Sequence, residues 1–179
     1  MTLHPNSRHT PVLSGSMEII RLFGNFAETL GAGRDLSRLG NPIVRTLSQH
    51  TRLQEAAVWI RESEDGQYRL LASHGHSDFS SLPPTLTSDH PLVTGLSGKP
   101  YMFHDDHKPS SPVGLAMTAV RATLCLALRN KGRLLGLCTL GPVNTDTRLD
   151  EDAMVLGETI ARIAGNSLDH LLTQNDLRR

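Results

Sequence analysis

The feature that most constrains the fold of this chain is a pair of apolar runs joined by a polar turn. The runs cover residues 121–129 and 134–140, and Asn-Lys-Gly-Arg lies at the turn between them. Apolar runs of this length around a short polar turn are typical of an antiparallel β-hairpin. Each run contains one of the two cysteines of the chain, Cys125 and Cys138. A sheet is therefore expected, and the thiols raise the first question about its chemistry.

The length of the turn predicts which residues of this hairpin face each other. With an even-numbered turn, Arg129 pairs with Leu134, and Cys125 then lies opposite Cys138 on one face. The small residues expected on that face are Cys125, Ala127, Gly136 and Cys138. The bulky residues expected on the other face are Leu124, Leu126, Leu128, Leu135 and Leu137. An odd-numbered loop with a bulge would shift the register and place the cysteines on opposite faces.

Helical patterns flank the predicted sheet. Apolar residues recur at spacings of three and four over 16–30, and again over 154–172 after the acidic stretch 150–152. A further helical pattern covers 35–50, and it is expected to begin at Asn41-Pro42, with Asn41 as the cap and Pro42 in the first turn. The first and last helices each carry an apolar stripe, which predicts a homodimer through these helices.

The middle of the chain predicts three further strands and a long loop. Strands are expected at 55–62 and 67–73, joined by a polar turn, and a short edge strand at 99–103. The segment from 74 to 91 is rich in Ser, Pro, Thr and His and has little periodicity, so we expect a loop that covers a pocket. His104-Asp-Asp-His107 follows the edge strand as the densest set of metal-ligating side chains.

Composition limits the class of protein. The chain has 179 residues, which fits one domain, and its 18 Lys and Arg residues balance 18 Asp and Glu residues. No net charge therefore favours nucleic acid or an anionic membrane. Two cysteines, with neither a bilayer-length apolar run nor a recognisable leader, predict a cytoplasmic setting. Residues 1–15 are expected to form a disordered tail.

Taken in order, these elements resemble the GAF domain family. The resemblance rests on Asp35 to Leu47 leading into Ala57-Val-Trp-Ile60, Leu71-Ala-Ser-His-Gly75, Gly98-Lys-Pro-Tyr-Met-Phe before His104-Asp105, Lys131-Gly-Arg-Leu-Leu-Gly-Leu-Cys-Thr-Leu-Gly141, and Asp150-Glu-Asp152. It implies an α+β, GAF-like (PAS-related) fold over residues 16–174. A central antiparallel sheet of five to six strands would carry the terminal helices on one face and pocket loops and short helices on the other. Residues 175–179 would be a tail or the start of a connecting helix.

The resemblance also implies a function. Such domains bind small molecules and regulate an output, so the chain is expected to be a non-enzymatic sensor domain of bacterial signal transduction with an unidentified small-molecule ligand. The cofactor, if any, is not specified by the sequence. The pocket is expected to be lined by segments 74–107 and 110–125. The predicted ligand-binding residues are Tyr101, Phe103, His104, Asp105, Met117 and Arg121.

Alternatives remain beside the sensor hypothesis. One branch of the family, the free methionine sulfoxide reductases, uses cysteines in the pocket, but residues 74–117 contain none. Packing is therefore the favoured interpretation of Cys125 and Cys138. His104 and His107, with His74-Gly75-His76 supplying a remote ligand, form either a metal or haem site or a solvated turn. No Cys-His dipeptide supports a bilin site, and a structural dimerisation module without a ligand is the remaining alternative.

Overall fold

The fold is built on one antiparallel sheet of six strands. The structure, a computed structural model, describes residues 12–32, 35–62, 66–141 and 149–176. The strands are β1 (Glu55–Arg61), β2 (Tyr68–His74), β3 (Thr85–Leu86), β4 (Tyr101–Phe103), β5 (Leu124–Asn130) and β6 (Arg133–Gly141). They lie in the order β3-β2-β1-β6-β5-β4, and each neighbouring pair is antiparallel. The predicted α+β class with a five- to six-stranded antiparallel sheet is confirmed.

Five α-helices cover the two faces of the sheet. They are α1 (Val12–Ala32), α2 (Gly40–Thr51), α3 (Pro91–Gly95), α4 (Pro112–Ala119) and α5 (Glu151–Asp176). Side chains of α1, α2 and α5 share one apolar core with the sheet, and side chains of α3 and α4 share another. The terminal helices therefore lie on the same face, as predicted. None of the described helices combines the length and apolar character needed to cross a membrane.

The start of α2 differs in detail from the prediction. A 3-10 turn at Leu36–Arg38 precedes α2, and the N-cap of α2 is Leu39, which makes no side-chain capping bond. Asn41 is therefore inside the helix and is not its cap, whereas Pro42 does lie in the first turn, where it needs no backbone donor. The helix buries an apolar face against the sheet, and its fully buried members are Ile43, Val44 and Leu47.

Each face of the sheet has its own core, because side chains alternate along the strands. We call them the helix-side core and the loop-side core. Members of the helix-side core include Phe26, Leu30, Ile43, Leu47, Val58, Leu126, Leu140, Ile160 and Leu168. Members of the loop-side core include Trp59, Tyr68, Leu86, Leu92, Leu96, Met102, Met117, Cys125 and Leu137.

The predicted pairing of the two cysteines is wrong. Arg129 does pair with Leu134 across a two-residue turn, but the register then shifts and Leu128 pairs with Gly136. Leu135 is the extra residue of this bulge, and every pair beyond it is displaced by one. Cys125 consequently pairs with Thr139, and Leu126 pairs with Cys138. Since a one-residue shift moves a side chain to the other face, Cys125 lies in the loop-side core and Cys138 in the helix-side core.

Two short elements lie outside the individual helices and strands that the sequence predicted. Strand β3 pairs with the N-terminal part of β2, at the edge of the sheet, and α4 lies between the edge strand β4 and β5. Ser111 caps α4 by accepting a hydrogen bond from the Gly114 amide, and Pro112 occupies its first turn. Both elements are short, which explains why periodicity did not reveal them.

The apolar stripe of α5 is absorbed by its own domain. Ile160, Ala164 and Leu168 are fully buried in the helix-side core. Strand β5 and α2 cover this stripe, so it does not supply the exposed surface that the predicted homodimer requires. The large apolar side chains that are exposed on the described parts of the terminal helices are Met17, Ile19, Ile20 and Val155.

One residue of β5 connects α5 with the loops on the other face. Gly165 of α5 packs so tightly on the strand that a Cβ there would lie 2.3 Å from the Arg129 carbonyl oxygen. The Arg129 guanidinium donates to the carbonyl oxygens of Leu96 at 2.6 Å, Lys99 at 3.3 Å and Gly132 at 2.9 Å. Arg129 thus contacts the terminal helix through its backbone and the segment between α3 and β4 through its side chain.

Candidate functional site

A buried carboxylate marks one end of the loop-side face of the sheet. Glu55 is the first residue of β1, and alternation along the strand places its side chain on the same face as Ala57 and Trp59. It pairs with Gly141 of β6, while Ala57 pairs with Thr139. Glu55 and Thr139 are therefore diagonal neighbours on this face of the sheet.

Two side chains from outside the strand approach the Glu55 carboxylate. Arg121 Nη2 lies 3.4 Å from Glu55 Oε1, and His76 Nε2 lies 3.7 Å from Glu55 Oε2. The side chain of Arg121 is 57% exposed, whereas those of His76 and Glu55 are only 4% and 9% exposed. A surface guanidinium therefore compensates one carboxylate oxygen, and a buried imidazole lies beside the other.

These buried groups are not satisfied by hydrogen bonds. Within the described part of the chain, Glu55 Oε2 and both ring nitrogens of His76 have no hydrogen-bond partner, and neither has Thr139 Oγ1. The 3.7 Å between Glu55 and His76 exceeds the hydrogen-bond range, so this contact does not satisfy either group. An unpaired buried polar group costs about 1–3 kcal/mol, and folded proteins contain few of them. Glu55 and His76 thus keep buried hydrogen-bonding atoms that no described residue satisfies.

Two glycines bring these side chains together. Gly75 has a φ of +80°, and a Cβ at this position would lie 1.8 Å from the Gln54 carbonyl oxygen, so only glycine allows the chain to pass over the start of β1. The next residue, His76, is thereby placed beside Glu55. Gly141 plays the same part for Arg121, because a Cβ at Gly141 would lie 2.4 Å from the Arg121 carbonyl oxygen.

His104 lies in a separate hydrogen-bonded arrangement with α4. The Thr118 hydroxyl donates to the Gly114 carbonyl at 2.9 Å, so its oxygen is left to accept a hydrogen bond from His104 Nε2 at 3.0 Å. Asp105 Oδ1 lies 3.7 Å from His104 Nδ1, but the Asp105 side chain is 98% exposed. His107 Nε2 is buried and has no hydrogen-bond partner among the described residues.

The six predicted ligand-binding residues do not form one wall. Arg121 belongs to the Glu55 site, and Met117 is fully buried in the loop-side core. Tyr101 and Phe103 pack against the helix-side core, with ring centroids 5.5 Å apart in an edge-to-face contact. Alternation along β4 explains this, since Met102 between them faces the loop side. That the six residues bind a ligand stays a prediction.

The two cysteines have the properties of packing residues. Cys125 and Cys138 are free and fully buried. Desolvation raises the pKa of both thiols far above the usual range, and the pKa of Cys138 is raised further by the proximity of Cys125. Because the thiolate is the reactive form, neither group is activated for attack on a substrate.

The histidine-rich turn after β4 does not assemble a metal centre with its neighbours. In the part of the chain that the structure describes, no three His, Cys, Asp or Glu side chains come together in an arrangement suited to a metal ion. His104, Asp105 and Asp106 form a 3-10 turn instead.

Sequence reasoning did not identify the Glu55 site as a unit. The sequence places Glu55 in a strand, His76 in a histidine pair that offers a remote metal ligand, and Thr139 in the second hairpin, and it does not bring the three together. A signal was present, because Glu55 begins an otherwise apolar run and Thr139 interrupts another. Placing these residues together requires the strand register, which short strands specify weakly.

The architecture defines the class of protein. One antiparallel sheet carries the terminal helices on one face and short helices, loops and a polar site on the other, which is the arrangement of a sensory or regulatory domain. The GAF domain family model matches residues 35–168. The chain therefore belongs to the GAF domain family, whose members are typically sensory or regulatory domains of signalling proteins.

Solved structures with the same fold come from several kinds of protein. A methyl-accepting chemotaxis protein (residues 122 to 287) has a TM-score of 0.66 and 11% identity, with 82% of this chain and 96% of that chain covered. The GAF domain of an Acinetobacter phosphoenolpyruvate-protein phosphotransferase has a TM-score of 0.65 and 11% identity, with coverages of 89% and 98%. The chromophore-binding domain of a bacteriophytochrome from R. palustris has a TM-score of 0.66 and 15% identity, with coverages of 96% and 65%. These low identities establish the shared fold alone, and curated protein sequences gave no match.

Proposed function

We propose that this chain is a small-molecule sensor domain of bacterial signal transduction, located in the cytoplasm. Its ligand binds on the loop-side face, and its terminal helices pass the bound state to an output domain or a partner protein. The observation that carries this proposal is the Glu55–His76 pair, two buried side chains whose hydrogen-bonding atoms are unpaired among the described residues. Burying such groups opposes folding, so a bound ligand that pairs with them explains why they lie there.

The ligand site lies between the sheet and the segments that cover its loop side. We propose that residues 74–107 and 110–125 enclose the ligand, with Arg121 at its entrance because this side chain is both half-exposed and paired with Glu55. His104, Asp105 and Met117 belong to the same segments. Tyr101 and Phe103, which face the helix-side core, would act by holding the edge strand in place.

The route to an output runs through the helix-side core. Helix α5 packs on β5 and against α2, and α1 packs against α5. A ligand that displaces the strands or their loops therefore changes the surface on which α5 rests, and through α5 the position of α1. Helix shifts of this kind are a common way to transmit a bound state.

We also propose a homodimer through the terminal helices, now on the basis of α1. Met17 and Ile20 are 61% and 64% exposed, and Ile19 lies beside them. Light scattering should give a dimer mass for the protein and a monomer mass for Ile20→Glu with an unchanged circular dichroism spectrum. A monomer mass for the unsubstituted protein at high micromolar concentration would defeat the dimer.

The ligand proposal has a direct test. Native mass spectrometry of the purified protein, with a thermal-shift screen of nucleotides, amino acids and metal ions, should reveal a bound mass or a raised unfolding midpoint. Glu55→Gln should weaken that binding. Glu62→Gln is the matched control, because Glu62 is 51% exposed and pairs only with the surface residue Arg69 at 3.1 Å among the contacts described.

The alternatives give different results in the same experiments. A dimer that binds none of the compounds would support a structural dimerisation module. Turnover of free methionine sulfoxide with a thiol reductant, abolished by Cys125→Ser, would support the enzyme. No observation favours the enzyme, since both thiols are buried.

A further inference from the structure

The N-terminal end of α3 is capped by a histidine ring, and this cap exists only while the ring is neutral. His90 Nδ1 lies 3.2 Å from the Leu92 amide nitrogen. A backbone N–H always donates, so Nδ1 is the accepting nitrogen and the neutral ring carries its hydrogen on Nε2. Protonation of the ring places an N–H on Nδ1 as well. Two donors would then face each other, and the hydrogen bond to Leu92 is lost.

The first turn of α3 takes its hydrogen bonds from His90. Pro91 has no N–H, so the Leu92 amide is the first free donor of the helix. The next two amides, those of Val93 and Thr94, donate to the His90 carbonyl oxygen at 2.9 and 3.0 Å. Leu92 is fully buried, so its amide is left without a partner in a buried setting when the ring turns away.

Burial favours the neutral form of this ring. Desolvation lowers the pKa of His90, and the carboxylate of Asp89 opposes this shift without cancelling it. Within the described residues, Asp89 is the charged group that acts on His90. Helix α4 and strand β4, which contact α3, contain no Asp, Glu, His, Lys or Arg. Arg129 of β5 contacts the opposite end of the helix, at the Leu96 carbonyl oxygen.

This opposite end of α3 is held in place without His90. Arg129 donates to the Leu96 carbonyl oxygen at 2.6 Å, and Gly95 packs so closely that a Cβ there would lie 2.8 Å from the sulfur of Met102. The first turn, by contrast, carries Leu92 into the loop-side core. Loss of the cap therefore loosens the first turn and its core contact, while the C-terminal end of the helix stays fixed.

We propose that His90 is a pH-sensitive cap of α3. The neutral ring closes the first turn of the helix. In acid the charged ring turns away from the Leu92 amide, towards solvent and the exposed Asp89 carboxylate, and the N-terminal end of α3 loosens from the loop-side core. This inference goes beyond the proposed function, because it needs no ligand and describes a conformational change that pH alone produces in the cover of that face.

The tautomer and the titration are both observable in the unsubstituted protein. Long-range ¹H–¹⁵N spectra of the imidazole rings at about pH 8 should show the hydrogen of His90 on Nε2. The Leu92 amide signal should titrate with a midpoint below the ordinary value of 6.5, because burial disfavours the charged ring. A hydrogen on Nδ1 of the neutral ring would overturn the inference. A midpoint at or above the ordinary value, or a Leu92 signal that does not titrate, would do the same.

A variant that keeps the cap and does not titrate provides the control. Asparagine is a good N-cap and stays neutral, so His90→Asn should abolish the titration of the Leu92 amide. His74→Asn, at an exposed position of β2, is the matched variant and should keep that titration.

Stability gives a second measurement. The unfolded chain binds the His90 proton at a higher pH than the folded chain, so the equilibrium constant for unfolding should rise as the pH falls below about 6.5. Between about pH 8 and about pH 5 this rise, measured by urea denaturation, should be about fivefold larger in the unsubstituted protein than in His90→Asn. An equal rise in the two proteins would refute the pH-sensitive cap. If His90→Asn does not fold, the spectra of the unsubstituted protein decide.

Discussion

A methyl group added at Gly75 should destabilise the domain much more than one added at Gly132. The two glycines have nearly the same backbone conformation, with φ of +80° and +78°. A Cβ at Gly75 would lie 1.8 Å from the Gln54 carbonyl oxygen, whereas a Cβ at Gly132 would have no heavy atom within 4 Å. Both alanine variants therefore place alanine in a left-handed backbone conformation, and only Gly75→Ala adds a steric clash.

The magnitude follows from these two terms. Alanine in the left-handed region lowers the free energy of unfolding by about 1–2 kcal/mol. Alanine also lowers the entropy of the unfolded chain, which offsets about 0.4–1 kcal/mol of this loss, equally in both variants. Relieving an overlap with a backbone atom adds about 1–3 kcal/mol at Gly75 only. We expect Gly75→Ala to be less stable than Gly132→Ala by about 2 kcal/mol, which lowers the unfolding midpoint by about 4–8 °C in a domain of this size.

The assay is urea denaturation followed by tryptophan fluorescence. Trp59 is the sole tryptophan of the chain and is fully buried, so its emission reports unfolding without interference. Thermal unfolding by circular dichroism gives an independent midpoint. Gly75→Ala should also weaken any ligand binding found in the thermal-shift screen, because His76 is displaced from Glu55, while Gly132→Ala should retain it. Equal free energies of unfolding for the two variants would refute the close backbone approach at Gly75.

Three further predictions concern the cores. Burial raises the pKa of Cys125 and Cys138, so above a pH of about 8.5 the unfolded state releases thiol protons that the folded state keeps. The free energy of unfolding should therefore fall by up to about 1.4 kcal/mol per pH unit for each thiol. Urea titrations at several pH values should show this slope, and the slope should be flatter in the variant in which both cysteines are replaced by alanine. Leu168→Ala, at a fully buried position of α5, should cost about 2–5 kcal/mol in chemical denaturation, and a loss below about 1 kcal/mol would contradict its burial. Trp59→Phe removes the 2.8 Å hydrogen bond from Nε1 to the Pro83 carbonyl and should cost about 1–3 kcal/mol, measured by thermal unfolding, whereas an unchanged midpoint would refute the bond.

Periodicity and turn chemistry predicted most of the fold. The apolar stripes of α1, α2 and α5 specify which faces are buried, and the Lys131-Gly132 turn, with φ of +48° and +78°, specifies the second hairpin. The placement of the terminal helices on one face was implied by the GAF resemblance, and the helix-side core confirms it. The extra residue at Leu135 has no sequence signal, since leucine fits either face, and the resulting shift reversed the position of Cys138.

The candidate site was much less predictable than the fold. Arg121 was identified because a cation beside a predicted pocket is a recognisable feature, but Glu55 and His76 are separated by a complete hairpin in the sequence. What joins them is the close passage of Gly75 over the start of β1, a tertiary contact. Tyr101 and Phe103 were assigned to the pocket because they lie in the segment 74–107, and strand alternation places them on the other face.

The contact between Gly165 and Arg129 sets the kind of motion that α5 is able to make. Backbone rests on backbone at this point, with no side chain between them to change rotamer and absorb a displacement. A displacement of β5 at Arg129 would therefore be passed directly to α5 at Gly165. Because the Arg129 guanidinium also donates to the carbonyl oxygens of Leu96 and Lys99, a displacement of that loop would reach α5 through this one residue.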